Sequence, residues 1–452
     1  MLRKLLLASG LVLAVAPAAY PADLWQVFQL AQANDPAFRE ALANRNASMQ
    51  AKPEAWAKIF PAIDLNASRT WDNTHSDRLS FFGTGVFPVQ SSSNDRNDQW
   101  GAQLTQTLFN WQQFQALKGA DFTVAQAEAT YQSTLQGLIV TVSQAYFNVL
   151  NARDVLNADV ANAKSLGKQY QQTQEQYKVG LIAVTGVREA EAGYDQARAQ
   201  VIADRQALAQ AEEALRAITG QYIGQLAEPQ KKLPLHPPQP ESVDTWVAQG
   251  LKDNPSLIAA QFGTKVAQNQ VAQQRGGYMP QLNLVLQHTY QTGNGNSSFS
   301  VSGQGTTQTP DRSHDYDNQI GLQLSWNIFS GGATRAATKQ AQFQADAAMA
   351  QEITQRRSIE QQVRNAYLAV LSGIAQVQAT QQAVAASQIS LHATEAGLSV
   401  GTRTVLDVLT ARSTLLTSQK SYFNARYNYL VAVLQLEQAA GTLSPADVKQ
   451  LN

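Results

Sequence analysis

The sequence predicts an α+β membrane protein, with long coiled-coil-like helical hairpins and four transmembrane β-strands in each chain. Three observations support this prediction. The chain contains an internal duplication, in which a unit of about 220 residues occurs twice. Each copy contains a long proline-free span rich in helix-forming residues, and each contains two segments in which apolar and polar residues alternate.

The N-terminal segment, residues 1–22, has the pattern of a secretory signal peptide. A basic pair precedes an apolar stretch, and small residues at Ala16 and Ala18 form a cleavage signal. We expect cleavage after Ala18 or Ala22. The remaining sequence has no run of about 18 apolar residues that would make a membrane-spanning helix, so membrane contact must come from other elements.

Composition excludes several classes of protein. The chain has 34 Lys+Arg and 34 Asp+Glu, and therefore no basic field that would attract nucleic acid. It has no cysteine, which removes disulfides and thiolate metal sites. Its five histidines are scattered, and no zinc-protease, hydrolase or phosphate-loop motif occurs. We therefore expect no enzyme, no cofactor and no metal site.

The internal duplication divides the chain. The segment W-G-A-Q-L-T-Q-T-L-F-N at 100–110 matches I-G-L-Q-L-S-W-N-I-F-S at 320–330, and the tip glycines Gly180 and Gly401 also correspond. A proline-rich stretch between the copies is typical of an extended connector. The predicted division is a signal peptide at 1–22, repeat 1 at 23–230, a connector at 231–241, repeat 2 at 242–440 and a C-terminal tail at 441–452.

Each repeat contains two long predicted helices joined by a short tip. No proline occurs from Val89 to Glu228 or from Asp311 to Ser444. A continuous helix over either of the longest spans would be roughly 100 Å long. The apolar stripe of these segments is narrow, as in a coiled-coil seam. The predicted helices cover residues 111–178, 187–218, 334–398 and 405–440.

Two amphipathic strands are predicted in each repeat, at residues 61–72, 98–110, 280–292 and 317–329. Their length suits membrane-spanning strands, and the Ser/Asn/Gly-rich stretches between them, 73–97 and 292–317, are predicted as loops. A soluble sheet with one wet face is the alternative. Four strands cannot close a barrel, and lipid does not tolerate an open sheet edge, so the membrane interpretation requires several chains to share one barrel.

The motifs resemble those of the TolC family of outer-membrane efflux proteins, the outer membrane factors. The resemblance covers nearly all of the chain after the signal peptide. It is carried by the tip sequences Y-K-V-G-L at 177–181 and V-G-T-R-T-V-L-D-V-L at 400–409, by A-R-Y-N-Y-L at 425–430 and by G-T-L at 441–443.

This resemblance implies a homotrimer in the bacterial outer membrane, with a barrel of 12 strands, four from each chain, and an α-barrel crossing the periplasm. Its expected partners are outer-membrane lipid, a periplasmic adaptor (membrane fusion) protein and an inner-membrane RND or ABC transporter, and no nucleic acid. The expected function is passive export of drugs or secreted polypeptides, in multidrug resistance or type I secretion, through an entrance that opens when adaptor and pump dock.

The same resemblance implies two sets of site residues. Arg403 and Asp407 match entrance positions, with Thr185 and Glu189 as candidate acceptors for Arg403 and Asp407 as one ring of three carboxylates. The alternative is a solvated Arg403–Asp407 pair on one helix. Three positions, Leu398, Gly186 and Thr410, depart from the family's closing residues. The adaptor-docking residues would be Val179, Gly180, Leu181, Val400, Gly401 and Thr402, although the two glycines could simply end helices.

Two other classes of protein are alternatives to the channel. A periplasmic adaptor would also have helical hairpins, but it would lack two amphipathic strand pairs. A porin would devote most of its length to strands, whereas about two thirds of this chain is predicted to be helical.

Overall fold

The computed structural model describes residues 21–83, 85–229, 235–303 and 305–450. Most of the predicted signal peptide and the first part of the connector lie outside these residues. Two compact units can be distinguished among the described residues. One contains those up to Arg45, those within Glu128–Ala259 and those from Glu352 onward; the second contains those within Asn46–Ala127 and Ala260–Gln351. The helices are α1 (Leu24–Asn34), α2 (Pro36–Met49), α3 (Ala51–Ala57), α4 (Trp111–Lys178), α5 (Val184–Thr219), α6 (Val243–Asp253), α7 (Pro255–Arg275), α8 (Ala333–Ser399), α9 (Val405–Ala440) and α10 (Pro445–Gln450).

The second unit contains one antiparallel sheet of four strands in the order β1-β2-β3-β4. Its register aligns apolar residues across all four strands, because Ile63 pairs with Leu104, Leu104 with Leu286 and Leu286 with Ile320. A short 3₁₀ turn, Gly276–Tyr278, precedes β3. The strands are β1 (Ala62–Phe82), β2 (Gly85–Phe109), β3 (Gln281–Val301) and β4 (Gly305–Ser325).

The strands extend through the two stretches predicted as loops, 73–97 and 292–317, and that part of the prediction is wrong. Asparagine and glycine have low strand propensity, and this composition favours loops. In the structure the antiparallel ladder continues as far as the turns, and polar side chains pair across strands, as in the Ser76–Ser91 and Ser92–Ser298 hydrogen bonds, both 2.8 Å. At the other end, β4 stops at Ser325, before the predicted limit of 329.

One face of the sheet carries an exposed apolar band. Leu65 and Leu322 on this face are 76% and 68% exposed, so the chain by itself leaves the band uncovered. A row of aromatic residues borders the band where Trp100 pairs with Tyr290 and Tyr290 pairs with Tyr316. An apolar belt edged by aromatic side chains is typical of strands that cross an outer membrane.

The first unit has a buried core contributed by α1, α4, α8 and α9, with Phe28, Tyr146 and Leu434 at its centre. The corresponding tyrosines of the two repeats both bind backbone beside the connector. The Tyr146 hydroxyl donates to the Ala227 carbonyl, and the Tyr367 hydroxyl donates to the Glu241 carbonyl, each at 2.6 Å. Both tyrosines are buried and serve in packing. Within the described ranges, no helix is both long enough and apolar enough to span a membrane.

Candidate entrance at the helical hairpin tips

The two hairpin tips share one backbone geometry. In the first tip, the Leu181 amide donates to the Gln176 carbonyl at 2.9 Å and the Gly180 amide donates to the Tyr177 carbonyl at 3.0 Å. In the second tip, the equivalent bonds are made by Thr402 and Gly401 at 2.9 and 3.1 Å. This pair of bonds is the Schellman arrangement, which ends a helix through one left-handed residue.

Glycine is required at both tips because of backbone conformation. Gly180 has a φ of 74° and Gly401 a φ of 77°, in the left-handed region that side chains disfavour. Apart from each glycine and its two chain neighbours, no atom of the described residues lies within 4 Å of the position that a Cβ would occupy, so crowding plays no part.

Large apolar side chains are exposed beside these glycines. Val179, Leu181 and Val400 are 70%, 78% and 73% exposed. All six residues assigned to adaptor docking, the two left-handed glycines among them, lie on the exposed tips. Exposed apolar residues clustered on an otherwise polar surface are a feature of sites that bind another protein.

Asp407 is a helix-capping residue in this chain. The Thr404 hydroxyl accepts from the Asp407 amide at 3.2 Å, and the Asp407 carboxylate accepts from the Thr404 amide at 2.8 Å, which closes a capping box at the start of α9. The Thr404 amide and the Thr404 hydroxyl both donate to the Asp407 carboxylate, and these two bonds lower the pKa of Asp407 below its usual range, with a smaller contribution from the charge of Arg403. The carboxylate is therefore charged at neutral pH and held in one orientation.

The predicted partners of Arg403 lie in one groove with it. A groove of about 910 Å³ between the two tips is lined by Arg403, Thr185 and Glu189, and also by Gly186 and Leu398. In the part of the chain that the structure describes, the Arg403 side chain forms no ion pair. Arg403 and Asp407 therefore form no direct ion pair within the described residues, and the alternative of a solvated pair stays a prediction.

Thr410 does not line this groove. Its hydroxyl donates to the Leu406 carbonyl of its own helix at 2.9 Å. Asp407 is also outside the groove lining, although its capping partner Thr404 lines the groove.

Sequence reasoning missed two sets of charged residues that join the hairpins. The Arg412 guanidinium on α9 donates to Glu395 on α8 and to Ser165 on α4. Further along α9, the Lys420 ammonium lies 2.6 Å from an Asp159 carboxylate oxygen. Burial raises the pKa of Asp159, whereas the nearby ammonium opposes that rise. Neither set could be found from local spacing, because the partners are far apart in sequence.

Comparison with known proteins identifies this combination of fold and tips. The model of a family described as "Outer membrane efflux protein" matches residues 27–221 and 246–442, one match in each repeat. The outer membrane protein TolC of Escherichia coli K12 is 36% identical over 434 residues, covering 95% of this chain and 84% of TolC. The alkaline protease secretion protein AprF of Pseudomonas aeruginosa is 28% identical, covering 95% of this chain and 87% of AprF.

Solved structures show the same fold. The Campylobacter jejuni CmeC outer membrane channel superposes with a TM-score of 0.75 at 17% identity, over 94% of this chain and 88% of that chain. The open state of the Neisseria gonorrhoeae MtrE outer membrane channel superposes with a TM-score of 0.67 at 20% identity, over 93% of this chain and 91% of that chain.

The fold and the tips define an outer-membrane channel protein with a periplasmic extension. The chain belongs to the outer membrane efflux protein family, and its resemblance to TolC, seen first in the tip motifs, is confirmed. It is an efflux channel of the outer membrane, and the periplasmic adaptor alternative is wrong.

Proposed function

We propose that three copies of this chain form one channel, in which each contributes four strands to a closed barrel. The observation that carries the proposal is the open sheet: β1 and β4 are its two edges, and its apolar face is exposed. An unpaired strand edge in lipid leaves backbone N–H and C=O groups without partners. Pairing β1 of one copy with β4 of the next satisfies both edges, and a threefold ring closes the barrel.

The entrance of the channel is the set of hairpin tips. In a trimer, each tip residue recurs three times around the axis, so Asp407 forms a ring of three fixed negative charges that favours cations. Arg403, Thr185, Glu189 and Thr410 are proposed to adjust how the tips meet. The charge of Arg403, which is unpaired within the described residues, is available to a neighbouring copy.

The exposed apolar tips are proposed to receive a periplasmic adaptor protein, with an inner-membrane RND or ABC pump behind it. Val179, Leu181 and Val400 supply the apolar contacts, while Gly180 and Gly401 keep the bends free of side chains. Docking at these bends would draw the tips apart. The family description, outer membrane efflux protein, supports efflux of small molecules such as drugs, and the name of AprF, an alkaline protease secretion protein, supports a cargo of secreted polypeptides.

Docking is tested with Gly401→Trp and Gly180→Trp in a strain that relies on this channel. Drug export and co-purification of the adaptor should fall, while the amount of protein in the outer membrane stays unchanged. Gly224→Trp is the matched control, because the position has open space around it and lies outside both tips. Normal drug resistance and normal adaptor recovery in both tip variants would contradict the docking assignment.

A further inference from the structure

Within the described residues, four polar links connect α4 with α9, at intervals from the tips towards the buried core of the unit. Each link joins a side chain of α4 to one of α9. The links are Ser165–Arg412, Asp159–Lys420, Asp154–Tyr427 and Asn151–Asn424. The link closest to the tips is the one made by Arg412.

Arg412 differs from the other three links because it connects α4 to both helices of the second hairpin, whereas Lys420 on α9 lies between Asp159 of α4 and Asp204 of α5. Its guanidinium donates to the Ser165 hydroxyl on α4 and to the Glu395 carboxylate on α8. The side chain is only 17% exposed, and a planar guanidinium suits two fixed acceptors at once. Arg412 lines the groove of about 910 Å³ at the tips and also a neighbouring cavity of about 390 Å³. It therefore separates two spaces between α4 and the second hairpin.

The position of the next link sets how far the tips can separate. Lys420 follows Arg412 by eight residues, or about 12 Å of helix. The Asp159 side chain that Lys420 binds is 1% exposed, and separating a buried ion pair leaves a charge without a partner. If the tip of the second hairpin bent away from α4, the Arg412 link would break first. The bend would not extend past Lys420, whose link to Asp159 would remain.

We propose that the hydrogen bond between Arg412 and Ser165, here called the latch, holds the entrance closed. When this bond breaks, the tip of the second hairpin is free to move, as far as the level of Lys420. This inference rests on the proposed channel function. It assigns closure to residues other than the three positions at which the chain departs from its family, Leu398, Gly186 and Thr410. Glu395 binds the Arg412 guanidinium within the second hairpin, so this contact can be kept during opening. Ser165 lies on α4, so opening must break its hydrogen bond with Arg412.

The test is single-channel recording of the purified full-length protein in planar lipid bilayers. Arg412→Gln should raise the occupancy of the open level on the order of tenfold, because it removes charge-assisted hydrogen bonds to two helices. Arg412→Lys keeps the charge but has a single ammonium group, so its rise should be smaller. Ser165→Ala should also open the channel, because it removes the acceptor on α4 and preserves the ion pair with Glu395.

Tyr427→Phe is the matched control. It removes a 2.6 Å hydrogen bond between the same two helices but lies deeper in the ladder, so the open level should be occupied as in wild type. If wild-type protein forms pores and neither Arg412→Gln nor Ser165→Ala changes their occupancy, the latch is wrong and the channel function stands. An equal rise in Tyr427→Phe would also overturn it. A wild type without any conductance would instead refute the channel function, and the latch with it.

Discussion

Replacement of Gly401 by alanine isolates the cost of the left-handed bend at the second tip. The residue has a φ of 77° and open space around the missing Cβ, so the whole cost comes from conformation. That cost is roughly 1–2 kcal/mol for an L-residue. It corresponds to a factor of about 5–30 in the equilibrium between the closed and the opened tip.

Hydrogen exchange measured by mass spectrometry on peptides covering residues 397–404 reads out this local opening. In Gly401→Ala, exchange at the Thr402 amide, which is bonded to the Gly397 carbonyl, should accelerate by that factor. Gly401→Asn should exchange more slowly than the alanine variant, because asparagine tolerates the left-handed region. Gly224→Ala, at an uncrowded glycine without a positive φ, should leave the tip unchanged. Wild-type exchange in Gly401→Ala would refute the reasoning.

Three further perturbations follow from the same structure. Gly441→Ala should destabilise the first unit more than Gly401→Ala does, because a Cβ there would lie 2.5 Å from the Asp253 backbone; equal melting temperatures would contradict this. Asp407→Asn should abolish most of the cation preference of the channel in reversal-potential measurements. In wild type, this preference should persist until the pH falls below the usual range of aspartate pKa values, because the pKa of Asp407 is lowered. Glu437 has a pKa raised to about 7 by burial and by Asp447. The folded protein therefore keeps a proton on Glu437 that the unfolded chain releases, so the stability of the fold should decrease as the pH rises towards 7. Glu437→Gln should flatten this pH dependence of the melting temperature, and an unchanged pH profile in the variant would contradict the assignment.

The membrane part of the sheet could be predicted from the sequence because alternation of apolar and polar residues has a direct physical cause. Side chains of a strand point alternately to lipid and to water, and Ile63 and Leu65 show that period. The polar extensions of the strands lack this signal. Ser76 and Ser92 are held in the ladder by partners on the adjoining strand, which composition does not reveal.

The tips were predictable for a different reason. Duplication placed Gly180 and Gly401 at equivalent positions, and a left-handed bend needs glycine in both copies. The capping role of Asp407 is also encoded locally, since T-V-L-D at 404–407 has the spacing of a capping box. The Arg412 link depends on the register of α4 against α9, which no local pattern encodes.

The molar mass of the protein extracted from outer membranes, measured by light scattering with the detergent contribution subtracted, tests the central claim most directly. The claim is that one chain cannot close its sheet, because β1 and β4 remain unpaired at its edges. The expected result is a mass of three chains, with no smaller membrane-inserted species. A stable monomer that remains inserted in the membrane would contradict the shared barrel. It would also contradict the proposal that three copies of the tips surround one entrance.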